Sequence, residues 1–83
     1  VLSNLEGDDI VLCEITSVIR KDSYATLLEN KDLQSGKLKT NSVIRPNRLL
    51  TLDRSKINYK LGKINDLKLQ EVLGKIKIIF KIK

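Results

Sequence analysis

The feature that most constrains the fold is a regular alternation of residue types over residues 9–17, DIVLCEITS. Successive side chains of a β-strand point to opposite faces. The apolar face would carry Val11, Cys13 and Ile15. The other face would carry Leu12, Glu14 and Thr16. We predict a central strand that packs its apolar face on the core and presents a carboxylate and then a hydroxyl near its carboxyl end, where strands commonly contribute side chains to a site.

Alternation and turn-forming residues predict further short strands. Residues 23–29 alternate as a second strand, and residues 30–36 are rich in turn-forming types. Pro46 cannot donate a hydrogen bond to a sheet ladder, so it is expected to divide Ser42–Asp53 into two short strands at an edge, bulge or bend. Residues 59–64 are predicted to form a last short strand.

The C-terminal segment has features of both a helix and a strand. Asn65 is a favourable N-cap, and apolar residues recur at helical spacing from Leu69 onward. Residues 75–83, however, alternate almost as a strand would, and Gly74 costs a helix interior about 1 kcal/mol relative to alanine. We predict a helix over residues 66–79 that frays at its end. The pattern favours an α+β fold made mostly of strands, as a small, partly open barrel.

Charge is divided unevenly along the 83 residues. Residues 1–35 hold seven acidic and three basic residues (net −4), and residues 36–83 hold three acidic and thirteen basic residues (net +10), which together give the net charge of +6. A concentrated basic surface attracts polyanions or acidic peptides. A solvated lysine-rich surface is the alternative. The length fits one domain over residues 1–83 with a small core.

Cys13 is the only cysteine, which excludes a disulfide framework and a cysteine-based metal site within one chain. We interpret it as a small buried side chain in a reducing compartment. No apolar run has transmembrane length and no signal sequence opens the chain, so we expect a cytoplasmic protein without membrane contact. Because the chain starts without methionine in strand-like residues, residues 1–3 are expected to end a strand of a truncated domain.

The order of these segments resembles the MazF/PemK toxins of bacterial type II toxin–antitoxin systems. The resemblance covers nearly the whole chain and is most specific in Ile15-Thr16-Ser17 and in the run RPNRLLTLD over residues 45–53. It implies an SH3-like barrel, a homodimer, and a metal-independent endoribonuclease without cofactors. The implied substrate is single-stranded mRNA, cut by 2′-hydroxyl attack on the phosphodiester. The implied partner is an acidic antitoxin, in a complex that binds DNA.

The resemblance also assigns candidate residues. Thr16 matches the hydroxyl residue of the family's active site, and Arg45 matches an arginine implicated in some members, so both are expected to be catalytic. The expected substrate-binding residues are Ser17, Asn47 and Arg48. Asn47 occupies a position that is aspartate in one branch, and its amide cannot take up a proton. The family's principal arginine belongs to an R-P-[AV] motif that would precede Val1, so residues 1–83 alone lack an arginine that the resemblance implies for activity.

The chain has no histidine, which excludes a histidine acid–base pair. Arginine would stabilise an anionic phosphorane, and Thr16 would orient the 2′-hydroxyl or the phosphate. In the alternative interpretation, Thr16 is an ordinary strand-end residue, and Arg45 and Arg48 are solvated edge charges. The alternative function is a non-catalytic or degenerate toxin-fold module that binds RNA or an acidic antitoxin segment. A ribosome-associated SH3-like protein fits the acidic first half poorly.

Overall fold

A computed structural model describes residues 2–5, 7–18 and 22–81, which form six strands and one α-helix. In chain order the elements are β1 (Ser3–Asn4), β2 (Asp9–Thr16), β3 (Thr26–Leu28), β4 (Leu33–Gly36), β5 (Ser42–Asp53), β6 (Gly62–Ile64) and α1 (Asp66–Phe80). Two 3₁₀ turns, Asn30–Asp32 and Arg54–Lys56, precede β4 and follow β5. The predicted strand residue Val1 and the last two residues of segment 75–83 lie outside the described residues.

The described strands form two antiparallel sheets. The larger sheet has the order β1-β2-β5-β3, and the smaller one pairs β4 with β6. β2 lies inside the larger sheet, as predicted, and pairs with β5 from Asp9 opposite Asp53 to Thr16 opposite Val43. Strands with one C-terminal helix confirm the predicted α+β class. The two small sheets of the described residues do not close into a barrel.

The core contains residues of β3, β5 and α1. Leu28, Ile44 and Val72 form its buried cluster, and each is at most 3% exposed. The partly buried side chains packed against it are Leu2, Cys13, Leu33, Leu38, Ile64 and Ile76. Cys13 therefore contacts the core, as the alternation in β2 predicts. Burying these aliphatic side chains contributes about 1.5–3 kcal/mol for each one fully removed from water.

Burial along β2 does not follow the predicted alternation at two residues. Ile10, which by alternation shares the face of Leu12 and Glu14, is fully buried, whereas Ile15, on the predicted core face, is 52% exposed. Ile10 lies between two strands, because it pairs with Asn4 of β1 and with Leu52 of β5. At Ile15, β1 has already ended, so among the described strands only β5 flanks it. The number of strands that flank a residue therefore determines its burial in β2 more than the alternation of side chains does.

α1 confirms the predicted helix, which runs one residue further, to Phe80. Asn65 is its N-cap, and the Asn65 side-chain oxygen accepts a hydrogen bond from the backbone N–H of Lys68 at 2.8 Å. The helix buries Val72 against the sheet. It ends at Lys81, which has φ 55° in the left-handed region and donates its backbone N–H back to the last turn.

Four predictions of strand extent were wrong because strand partners are not visible in local sequence. β3 covers only Thr26–Leu28 of the predicted strand over 23–29, and β6 covers only Gly62–Ile64 of the one over 59–64. The second half of the predicted turn over 30–36 is strand β4, because β6 provides it with hydrogen-bonding partners. β5 is one continuous strand rather than two short ones, and an irregularity in its pairing accommodates Pro46.

The smaller sheet depends on two glycines that face each other. Gly36 pairs with Gly62, and the backbones approach so closely that a Cβ on Gly36 would collide with the carbonyl of Leu61 and with the Cα of Gly62. Gly36 also has φ +86°, which side chains of L-residues rarely adopt. No other residue type can occupy this position without distortion.

We therefore expect Gly36→Ala to lower the free energy of unfolding by about 1–3 kcal/mol, through backbone strain and the collision with Leu61. Gly74→Ala is the matched control, because a Cβ there has no neighbour within 4 Å. In a helix interior that change should raise stability by about 0.5–1 kcal/mol. Urea denaturation measures both changes, and equal shifts of the two midpoints would contradict the role of Gly36.

Candidate functional site

An irregularity in the pairing of β2 with β5 shapes the candidate site. Cys13 pairs with Leu49, but the next residue of β2, Glu14, pairs with Arg45, so β5 contains residues 46–48 in addition. A bulge of this kind bends a strand and redirects its side chains. The thiol of Cys13 donates a hydrogen bond to the backbone carbonyl of Arg45 at 2.9 Å. This contact holds the start of the bulge in β5, at Arg45, against β2. Arg45 is the first residue of the candidate site.

Arg45 is a paired and largely buried cation. Its Nε lies 2.9 Å from Oδ2 of Asp22, and its Nη1 lies 3.3 Å from Oε1 of Glu14. The Arg45 side chain is 16% exposed and that of Asp22 is 7% exposed. The interpretation of Arg45 as a solvated edge charge therefore does not hold. Asp22 reaches it from the segment before β3, and Glu14 from the facing position of β2.

Hydrogen bonds keep both members of the Arg45–Asp22 pair charged. The pKa of the Asp22 carboxyl is lowered, first by the hydrogen bond from Arg45 and then by the backbone N–H of Tyr24, at 3.0 Å from Oδ1. A side-chain hydrogen bond from Asn47 lowers that pKa further. The pKa of Arg45 is raised, chiefly by the same bond to Asp22. The pair thus stays ionised at neutral pH.

Glu14 connects the two arginines of the cluster. Its Oε1 lies near Arg45, and its Oε2 lies 3.6 Å from Nε of Arg48. Arg48 is 60% exposed and Glu14 is 34% exposed, so this part of the cluster is open to solvent. Among these charged side chains two cations face two carboxylates. Neither Glu14 nor Asp22 was predicted to have a role, although Glu14 lies two residues before Thr16 and therefore on the same face of β2.

Thr16 lies beside this cluster at the end of β2. It pairs with Val43, so Arg45 is its diagonal neighbour on the same face of the sheet. Diagonal neighbours in an antiparallel pair are about 7–8 Å apart, within reach of a long side chain. The Thr16 hydroxyl oxygen accepts the backbone N–H of Val18 at 3.1 Å. This bond orients the hydroxyl, which retains its own proton as a donor.

A cleft of about 410 Å³ opens next to Thr16 and Ser17. Its other lining residues are Ile15, Leu28, Leu33, Lys37, Leu38, Lys39, Thr40, Ser42, Tyr59, Leu61, Gly62 and Ile64. Lys37 and Lys39 provide its cations, and Tyr59 is 74% exposed. Arg45, Asn47 and Arg48 do not line it, so they form a separate group on the sheet. Ser17 lines the cleft. Thr16 also lines the cleft and is, in addition, a neighbour of Arg45 on the sheet.

Two further features concern the described ranges 2–5, 7–18 and 22–81. No group of three or more histidine, cysteine, aspartate or glutamate side chains is arranged there to hold a metal ion. None of the helices in those ranges combines the length and the apolar character needed to cross a membrane.

The fold and the cluster define a small α+β protein with a polar site on its sheet, at the end of the central strand. The family model of PemK-like, MazF-like toxins of type II toxin–antitoxin systems matches residues 1–80. The chain therefore belongs to this toxin family, whose members are paired with an antitoxin. A search of curated proteins found no match. The family match confirms the resemblance on which the roles of Thr16 and Arg45 rest.

Proposed function

We propose that this toxin is an endoribonuclease that cuts single-stranded mRNA without a metal ion, by attack of a ribose 2′-hydroxyl on the adjacent phosphodiester. The observation that carries the proposal is the placement of Thr16 and Arg45 as diagonal neighbours on one sheet face, in a member of a toxin family. The products would be a 2′,3′-cyclic phosphate and a 5′-hydroxyl, because the 2′-oxygen forms a bond to phosphorus and the 5′-oxygen leaves.

Arg45 supplies electrostatic stabilisation in this mechanism. Its guanidinium carries five N–H donors in a fixed plane. The contacts with Asp22 and Glu14 engage Nε and Nη1, and the remaining donors can bind oxygens of the phosphate. Negative charge on these oxygens increases in the phosphorane, so a donor that is already held in place favours the transition state over the substrate. Fixation by Asp22 is what makes the arginine preorganised.

Thr16 positions the substrate. Because its oxygen accepts the N–H of Val18, the hydroxyl proton points away from that turn and can be donated to the phosphate or to the attacking ribose oxygen. Ser17, Asn47 and Arg48 would bind flanking parts of the RNA. Ser17 would do so from the cleft, and the other two from the bulge of β5.

The proposal includes the partners that the family implies. An acidic antitoxin segment would bind the basic second half of the chain, and two copies of the toxin would form a homodimer in the cytoplasm. Lys37 and Lys39 at the cleft offer positive charge for either polyanion.

A non-catalytic toxin-fold module that only binds RNA or antitoxin is the second candidate. It is favoured by one observation, namely that Arg45 and Arg48 already face the carboxylates of Asp22 and Glu14. An arginine neutralised in this way offers less net charge to a phosphate.

A cleavage assay separates the two candidates. The product of the complete gene is incubated with a single-stranded RNA in excess EDTA. We expect two fragments, one with a 2′,3′-cyclic phosphate and one with a 5′-hydroxyl. The same strand made entirely of 2′-deoxy nucleotides should remain uncut. Binding of RNA without cleavage would support the module. Cleavage of the deoxy strand would contradict 2′-hydroxyl attack.

A further inference from the structure

The two carboxylates that face Arg45 differ in how firmly they are held. Asp22 is 7% exposed, lies 2.9 Å from Arg45, and accepts a further hydrogen bond from the Tyr24 backbone N–H at 3.0 Å. Glu14 is 34% exposed, and its contacts with Arg45 and Arg48 are longer, at 3.3 and 3.6 Å. Glu14 is therefore the more easily displaced of the two.

The contacts of Glu14 have the geometry expected of a bound phosphate. One carboxylate oxygen faces Arg45 and the other faces Arg48, as two oxygens of a phosphate would bridge two guanidinium groups. The carboxylate also reduces the charge of the site. The formal charges of the cluster sum to zero over Arg45, Arg48, Asp22 and Glu14, and they sum to +1 without Glu14.

We propose that Glu14 is an internal competitor of the RNA phosphate. Its carboxylate pairs with Arg45 and Arg48 in the protein without RNA and moves toward solvent when a polyanion binds. Asp22 has the opposite role and remains on Arg45 as a positioning residue in both states. This inference rests on the proposed function, because it assigns the phosphate of single-stranded RNA to the same arginines. Affinity is then reduced by the free energy needed to displace the Glu14 carboxylate, and the reduction falls on every RNA sequence alike.

Glu14→Gln tests the proposal, because glutamine keeps the shape of the side chain and removes its charge. The probe is a fluorescent single-stranded 2′-deoxy oligonucleotide, which the proposed reaction cannot cut. We expect about 3–10-fold tighter binding at low salt, a range that corresponds to about 0.7–1.4 kcal/mol. Because the arginines bind the same phosphate in both proteins once Glu14 has moved to solvent, the slope of log K against log salt should change by less than the value for one phosphate contact, about 0.7.

Glu71→Gln is the matched control. It removes the same charge from a carboxylate that is 48% exposed and pairs with Lys68 on α1, outside the arginine cluster. It should leave affinity and salt slope nearly unchanged. Asp22→Asn should not tighten binding, because Arg45 loses its fixed partner, and circular dichroism checks that this variant is folded. Equal effects of Glu14→Gln and Glu71→Gln would show a general charge effect and overturn the proposal.

The outcomes separate this proposal from the proposed function. If the unmodified protein cleaves RNA and Glu14→Gln leaves affinity unchanged, the endoribonuclease stands and the competitor is overturned. If neither the unmodified protein nor Glu14→Gln binds the oligonucleotide and neither cleaves RNA, both proposals are overturned. Tighter binding by Glu14→Gln without any cleavage supports the competitor and identifies a binding module.

Discussion

Thr16→Ala is expected to reduce the rate of RNA cleavage by about 10²–10³-fold while the protein stays folded. This magnitude is typical when one preorganised donor to a developing oxyanion is removed. Thr16 is half-buried at the end of β2. It is not part of the core cluster formed by the described residues, so its methyl group contributes little to packing. Initial rates under single-turnover conditions measure the effect, and far-ultraviolet circular dichroism checks the fold.

Thr16→Ser is the control for this variant, because it keeps the hydroxyl and loses only the methyl group. Serine can still accept the N–H of Val18 and donate its proton, so we expect cleavage within a few-fold of the unmodified rate. Undiminished cleavage by Thr16→Ala would remove Thr16 from the site. An equal loss in both variants would assign its effect to packing rather than to the hydroxyl.

Leu28→Ala is expected to lower the free energy of unfolding by about 2–5 kcal/mol. Leu28 is 1% exposed and belongs to the core cluster with Ile44 and Val72, so removing its side chain leaves a cavity that neighbours fill only in part. Small domains are typically stable by about 5–15 kcal/mol, and short chains lie at the low end. The loss would thus be a large share of the total, measurable as a lower urea midpoint.

Leu67→Ala is the matched control for the core variant. Leu67 is 84% exposed on α1, so its removal should change the free energy of unfolding by no more than about 0.5 kcal/mol. Comparable losses in the two variants would mean that Leu28 does not belong to the structural core. A change in the slope of the urea transition for Leu28→Ala alone would indicate an altered unfolded state.

Elements with strong local periodicity could be predicted from the sequence. The apolar spacing after Leu69 and the N-cap Asn65 predicted α1 to within one residue at its end. The alternation over residues 9–17 predicted β2, which ends at Thr16. In both cases the signal comes from side chains a few residues apart, which is the range over which helical and strand periods act.

The composition of the candidate site could be predicted only in part. The resemblance predicted catalytic roles for Thr16 and Arg45, and the register of β2 and β5 makes them diagonal neighbours. Glu14 was not predicted as a partner of Arg45, because this contact depends on the shifted pairing between Cys13 and Glu14. Asp22 was not predicted either, because it reaches Arg45 from the segment before β3. A register shift between strands about 30 residues apart leaves no local periodic signal.

Arg45 has neighbours on both sides that constrain how this protein can evolve. Ile44 before it is 3% exposed, and the Pro46 side chain after it is less than 2% exposed. Mutations at either buried neighbour would lower stability. Asn47 and Arg48 are exposed, so substitutions there should cost less stability. Within β5, Ile44 and Pro46 should therefore diverge slowly among descendants of this gene, and the two residues after Pro46 should diverge faster.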